Sequence, residues 1–267
     1  MMELFFPPGA SAHAAAIDNS VDLMHWLMLV LFVGWGLFFV YVLFRFRQGA
    51  NPKADYTGVT SKTNSVLEGV VVAAEAVLLL GFSIPLWADR VDEFPPESEA
   101  QVVRVVAQQF AWNVWYAGED GIFGKADPAL TDEETNPLGL DREDPAARDD
   151  ITTINQLHLP VNKPAIIHIS SKDVIHGFNL PNMRIKQDAV PGLQIPVWFV
   201  PTITTAEMRE RLGNDEFVYE LACAQLCGNS HYSMRGFLTI HTQEEFDAWM
   251  AEEASYLSEG DEDDFWN

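Results

Sequence analysis

Residues 156–181 read QLHLPVNKPAIIHISSKDVIHGFNLP. The stretch is rich in β-branched residues and is broken by Pro160, Pro164, Gly177 and Pro181, as expected of strands separated by turns. QVVRVVAQQFAWNVWY (101–116), QIPVWFVPT (194–202) and FVYELACAQLCG (217–228) repeat the pattern, and FLTIHT (237–242) adds a short last strand. Strands punctuated by Pro, Gly and Asn at such intervals predict an all-β sandwich. Residues 117–150 interrupt them with Asp-Pro, Asn-Pro and Gly and read as a long acidic surface insert. Residues 244–257 suit a short amphipathic helix, and SEGDEDDFWN (258–267) predicts disorder.

The last strands frame a dense group of ligands. Cys223, Cys227, His231 and Met234 lie within twelve residues and include both cysteines of the chain. Thiolate and thioether are soft donors and imidazole also binds copper, so the set suits copper better than a hard ion. A mononuclear blue-copper site needs one Cys, two His and a weak axial Met. The second Cys is then either spare or evidence of two metals, and SKDVIHGFNLP nominates His176 as the missing imidazole. The alternative is a Cys223–Cys227 disulfide with His231 and Met234 as packing residues. A structural zinc site has no use for a thioether. His158, His168 and His241 fall on strands and His13 and His25 near the N-terminus; no ligand role is assigned to these five.

The first third is different. VDLMHWLMLVLFVGWGLFFVYVLF (21–44) and NSVLEGVVVAAEAVLLLGFSIPLW (64–87) are each long and apolar enough to cross a bilayer. Arg45, Arg47, Lys53 and Lys62 lie between them, whereas residues 1–20 contain no Lys or Arg. The positive-inside rule makes the loop cytoplasmic and puts both termini outside. The expected organisation is a tail at 1–20 and a helical hairpin at 21–90 with spans at about 21–46 and 64–87. An outer β domain follows at 98–243, then an acidic tail at 244–267. Glu68 and Glu75 share one face of the second span, and a carboxylate as deep as Glu75 calls for a protein partner or a water-filled path. The net charge of −23 excludes nucleic acid and favours basic partners.

LPVNKPAIIHISSKDVIHGFNLP, IKQDAVPG and CAQLCGNSHYSMRG together resemble subunit II of cytochrome c oxidases, and the likeness covers nearly the whole chain. It implies a two-helix transmembrane hairpin followed by a cupredoxin-like Greek-key sandwich holding the binuclear copper A centre. In that family both cysteines bridge two coppers, a role matching Cys223 and Cys227. His176 and Met234 match the remaining ligands of one copper; His231 and the Gln225 carbonyl match those of the other. The implied function is to take electrons from a c-type cytochrome and pass them to haem in subunit I, which also holds copper B and reduces oxygen. The implied place is a bacterial respiratory membrane, with the copper domain periplasmic.

Three departures from the family pattern stand out. Gln225 replaces the usual Glu, which leaves the interfacial magnesium site short of a charged ligand. Phe110 replaces the tryptophan that receives the electron, with Trp112 or Trp115 as substitutes. Val71 and Glu75 stand where the second span commonly has Trp and Pro, while Glu68 matches the residue at the mouth of a proton-uptake path. Rival readings are a copper-free quinol oxidase subunit, the corresponding domain of nitrous oxide reductase and a tethered copper carrier. The intact ligand set opposes the first, the two spans oppose the second, and the carboxylates of the second span oppose the third. The chain has no Cys-x-x-Cys-His, so no covalent haem is fused to it.

Overall fold

The computed structural model describes residues 5–53, 56–58 and 61–263. The chain divides into two compact units, one of helices and one of strands.

The helical unit holds α1 (Ala14–Arg45) and α2 (Thr63–Val91), and none of the residues in the most apolar window of either is buried. Helices apolar on all sides with nothing of their own chain to cover them are suited to a bilayer. Leu67, Val71, Ala74 and Leu78 of α2 line the seam with α1, opposite Leu23, Leu27, Val30 and Gly34. Glu75 is exposed and lies off that seam. The ladder of α2 widens into a π-turn at Leu79–Ser83, where Ser83 Oγ donates to the Leu78 carbonyl at 3.3 Å. Pro85, just beyond, brings no N–H to the ladder.

The other unit is a sandwich of two five-stranded sheets. The first contains β1 (Gln101–Gln108), β2 (Ala111–Tyr116), β3 (Ile151–Ile154), β5 (Ala165–Ser171) and β8 (Ile195–Phe199), in the order β3-β2-β1-β5-β8. The second contains β4 (Gln156–Pro160), β6 (His176–Leu180), β7 (Ile185–Ala189), β9 (Tyr219–Cys223) and β10 (Arg235–His241), in the order β4-β10-β9-β6-β7. β1 pairs with β5 and β10 with β4 in parallel; the other pairings are antiparallel. Val103, Val105, Trp112, Val114, Ile167 and Ile169 meet Leu157, Phe178, Leu221 and Leu238 in one core. Tyr116, wholly buried, accepts from the His158 N–H at 2.7 Å and lies 3.2 Å from its carbonyl; burial drives its hydroxyl pKa far above the ordinary value.

Three segments depart from expectation. Residues 6–14 are not a free tail. Ser11 bridges Pro201, Ala10 N–H donates to the Asn182 carbonyl at 2.8 Å, and Ala10 is fully buried in the sandwich core. The insert is more than a loop, because Trp115, Leu138 and Leu140 make a second small core with Val106 and Phe123. The Arg104 guanidinium caps it, 4.8 Å from the Trp115 ring and 4.2 Å from Phe123. The C-terminal helix runs over Gln243–Asp263, through the first part of the stretch expected to be disordered. A further helix that sequence reading missed, α3 (Thr205–Leu212), starts with a Thr204–Glu207 capping box and ends at left-handed Gly213. The C-terminal helix is α4.

Candidate metal centre

The antiparallel register Arg235↔Ala222 between β9 and β10 pins both ends of the ligand loop. Cys223 closes β9 and Met234 immediately precedes β10. Between them His231 N–H donates to Gly228 O at 3.2 Å and Ser233 N–H to Ser230 O at 3.0 Å. These successive turns fold the loop back on itself. On the neighbouring strand, His176 opens β6, and Ala224 N–H donates to the Gly177 carbonyl at 2.8 Å. A Cβ on Gly177 would stand 2.9 Å from the Ala224 carbonyl carbon, so only glycine lets the loop approach His176 this closely.

All six sequence-predicted ligands come together. The Cys223 and Cys227 sulfurs are 3.7 Å apart, far beyond the roughly 2.05 Å of a disulfide. His176 Nδ1 is 3.9 Å from Cys223 Sγ, and His231 Nδ1 is 3.6 Å from Cys227 Sγ. Met234 Sδ lies 3.8 Å from Cys227 Sγ, and the Gln225 carbonyl 3.2 Å from Cys223 Sγ. First-row metals bind thiolate at about 2.3 Å and imidazole at about 2.0–2.1 Å, so donors of one ion stand roughly this far apart. Two thiolates, two imidazoles, a thioether and a carbonyl make a soft set that fits copper. Burial, then the neighbouring Cys223, pushes the Cys227 thiol up to about 11, so that thiol stays protonated at neutral pH until a metal displaces the proton.

Asp173 is a participant that sequence reading missed. Its Oδ1 lies 2.9 Å from His176 Nε2, which leaves Nδ1 to face the sulfurs. Partial burial works against ionisation of Asp173, but hydrogen bonds from His176, Gln109 N–H and Val174 N–H hold its pKa below the ordinary carboxylate value. The spacing Asp-x-x-His in SKDVIH was its only signal. The Gln109–Phe110 turn covers the loop from the other side: Gln109 Nε2 donates to the Cys227 carbonyl at 2.6 Å. Gly228 has φ +137°, and a Cβ there would stand 2.8 Å from Gln109 Nε2 and 3.0 Å from the Phe110 ring.

The aromatic candidates separate. Phe110 is partly buried beside Gly228. Trp112 is wholly buried, edge-on to His176 at 6.2 Å and to Phe178 at 5.8 Å. Trp115 lies under the insert against Phe123, so neither tryptophan presents a ring for direct contact with a docking protein. Exposed Leu226 and Tyr232 flank the ligands. Of the histidines given no ligand role, His158 and His241 meet each other and His168 faces Glu97 at 4.0 Å. His13 is buried, and His25 Nδ1 lies 2.8 Å from the Val21 carbonyl. In α2, Asn64 Nδ2 donates to Glu68 at 3.0 Å.

The profile of the family described as cytochrome c oxidase subunit II, periplasmic domain, matches residues 102–242. The chain belongs to the cytochrome c oxidase subunit II family. It is similar to the alternative cytochrome c oxidase subunit 2 of Bradyrhizobium diazoefficiens, 31% identical over 244 residues that cover 90% of this chain and 81% of that one. It is also similar to cytochrome c oxidase subunit 2 of Thermostichus vulcanus, 28% identical over 91% of this chain and 76% of that one. Among solved structures, the periplasmic domain of subunit II (CoxB) of Bradyrhizobium japonicum aligns with 62% of this chain and 99% of its own, at 22% identity and TM-score 0.41. Family membership makes the chain a subunit of a haem-copper oxidase, an oxidoreductase complex. It also makes the sandwich the family's periplasmic domain on a membrane-spanning base.

Proposed function

We propose that this chain is the electron-receiving subunit of a proton-pumping cytochrome c oxidase. The observation that carries the reading is the convergence of both thiols, His176, His231, Met234 and the Gln225 carbonyl at 3.2–3.9 Å. When bound there, a binuclear copper A centre supplies one-electron transfer from a c-type cytochrome to haem in subunit I. The chain's own residues hold the donors in place. Asp173 orients His176, the β9–β10 register fixes the ends of the loop, and the Gln109–Phe110 turn shields it from one side. A rigid donor set of this kind limits rearrangement as charge arrives and leaves.

The acidic surface steers a basic cytochrome towards the domain, an effect that falls as ionic strength rises. Phe110 is the favoured aromatic contact for the donor because Trp112 and Trp115 are covered. Gln225 offers no carboxylate where the family has Glu, so an interfacial magnesium would lack the charged ligand of that position. In the bacterial inner membrane, with the termini and the copper domain outside, Glu68 stands at the mouth of the proton path of subunit I and Glu75 extends it. Unchanged turnover and proton uptake in the Glu75→Gln oxidase would remove Glu75 from that role.

The decisive experiment is copper loading of the full chain, followed by optical and electron paramagnetic resonance spectra. The full chain is needed because a fragment cut near residue 98 would lack Ala10 from its core. A purple protein with two coppers and one unpaired electron shared between them supports the reading. A single blue or colourless copper, or a Cys223–Cys227 disulfide that resists metal, overturns it.

A further inference from the structure

Ring nitrogens converge a second time, far along β10 from the ligand loop. His158 Nδ1 on β4 and His241 Nε2 at the end of β10 are 2.8 Å apart, and the rings meet edge to edge with planes 14° apart. Trp249 of α4 lies flat on His158, with 4.0 Å between ring centres and 3° between planes. Beneath, the Tyr116 hydroxyl fixes the backbone of His158. His241 also stands directly before α4, whose first turn is tied by a capping box: Thr242 N–H to Glu245 Oε2 at 2.9 Å and Glu245 N–H to Thr242 Oγ1 at 3.3 Å.

A neutral pair satisfies this geometry, because one ring donates and the other accepts. The first extra proton must go to an outer nitrogen and puts a cation in a partly buried place. It also sits at the positive end of the α4 macrodipole. Glu245 on α4 partly offsets that cost at His241, as stacking on Trp249 does at His158. A second proton turns two N–H donors on each other and breaks the bond. Of the other groups packed here, Tyr116 on β2 stays neutral and Glu253 on α4 acts on Tyr116. Lifting α4 returns both rings to water, so protons favour the lifted state.

We infer that His158 and His241 form a proton-binding site closed by α4, and that proton binding there releases the helix from the sandwich. Burial, then His241, lowers the His158 pKa to about 4, and burial lowers that of His241 with Glu245 opposing. Because these values lie below the ordinary 6.5, the pair's support for docking is complete above about pH 6.5 and is lost as pH falls towards 4. For His158 alone, the linkage gives about a 25-fold rise in the opening equilibrium of α4 between pH 7.5 and 5.

The test is hydrogen exchange of the full chain in detergent micelles, read by mass spectrometry and corrected for intrinsic rates. Residues 243–257 should lose protection about 25-fold from pH 7.5 to 5, while β1 and β5 keep theirs. His158→Gln keeps a hydrogen-bonding partner for His241 but takes no proton, and it should remove most of that dependence. Protection of 243–257 that does not change with pH would overturn the inference. So would a slope unchanged in the variant, or loss of protection in all strands at once. Should the variant fail to fold, deuterium exchange at the imidazole C2 of the wild type still decides: His158 titrating near 6.5 refutes a closed site.

Discussion

At the Arg235 end of β10, ring nitrogens of His176 and His231 face sulfur at 3.9 and 3.6 Å; at the other end His241 faces nitrogen at 2.8 Å. The same side chain on the same sheet is therefore set for different partners. At the first corner two thiols, a thioether and a carbonyl complete a soft shell, and Asp173 fixes which nitrogen points inward. At the second the two ring nitrogens face each other, and an indole closes the site. What surrounds an imidazole, more than the imidazole, decides whether it suits a metal or a proton.

Replacing Cys227 by Ser should break the first corner alone. If the proposed two-copper centre is right, copper content should fall to one or none per chain and cytochrome c oxidation should be lost, while α4 keeps its exchange protection. Coupled loss at both corners would mean that they are one unit. Next in size, Asp173→Ala frees His176 Nε2 and the Gln109 N–H, and copper affinity measured by competition with a chelator should fall about 10–100-fold. At the other end, Trp249→Ala should lower the denaturant-measured stability of the sandwich by roughly 3 kcal/mol, the low end for a tryptophan because the side chain is only partly buried, and leave the copper spectra unchanged. The smallest change is Gln225→Glu, which keeps the backbone carbonyl beside Cys223 and adds a carboxylate. The assembled variant should gain a manganese signal that the wild type lacks, with its copper signal unaltered.

Much of this was open to sequence reading because the ligand types are rare and close together. Cys223, Cys227, His231 and Met234 fall on one loop, and His176 sits between a strand-like run and a Pro-Asn turn. The two spans were equally plain, since long apolar runs have few other uses. Asp173 was harder, because aspartate near a histidine is common and its role depends on an N–H supplied from residue 109. The docking of residues 6–14 gave no local signal: Ala10 reaches its place by pairing with residues 182 and 202. Nor did the insert announce a core, for Leu138 and Leu140 lie among acids and acquire meaning only against Trp115.

By itself, then, the sequence determined the elements and the chemistry: two apolar helices, a run of short strands, and a soft donor set in a twelve-residue loop. Periodicity and donor type are local properties and can be read along the chain. Only the tertiary structure decided which distant groups meet. It paired His158 with His241 across 83 residues and placed Trp249 over them, linked Gln109 to Asp173, and buried Trp112 and Trp115. Those contacts come from strand order and register, which follow from how two sheets and a helix share one core rather than from any single segment.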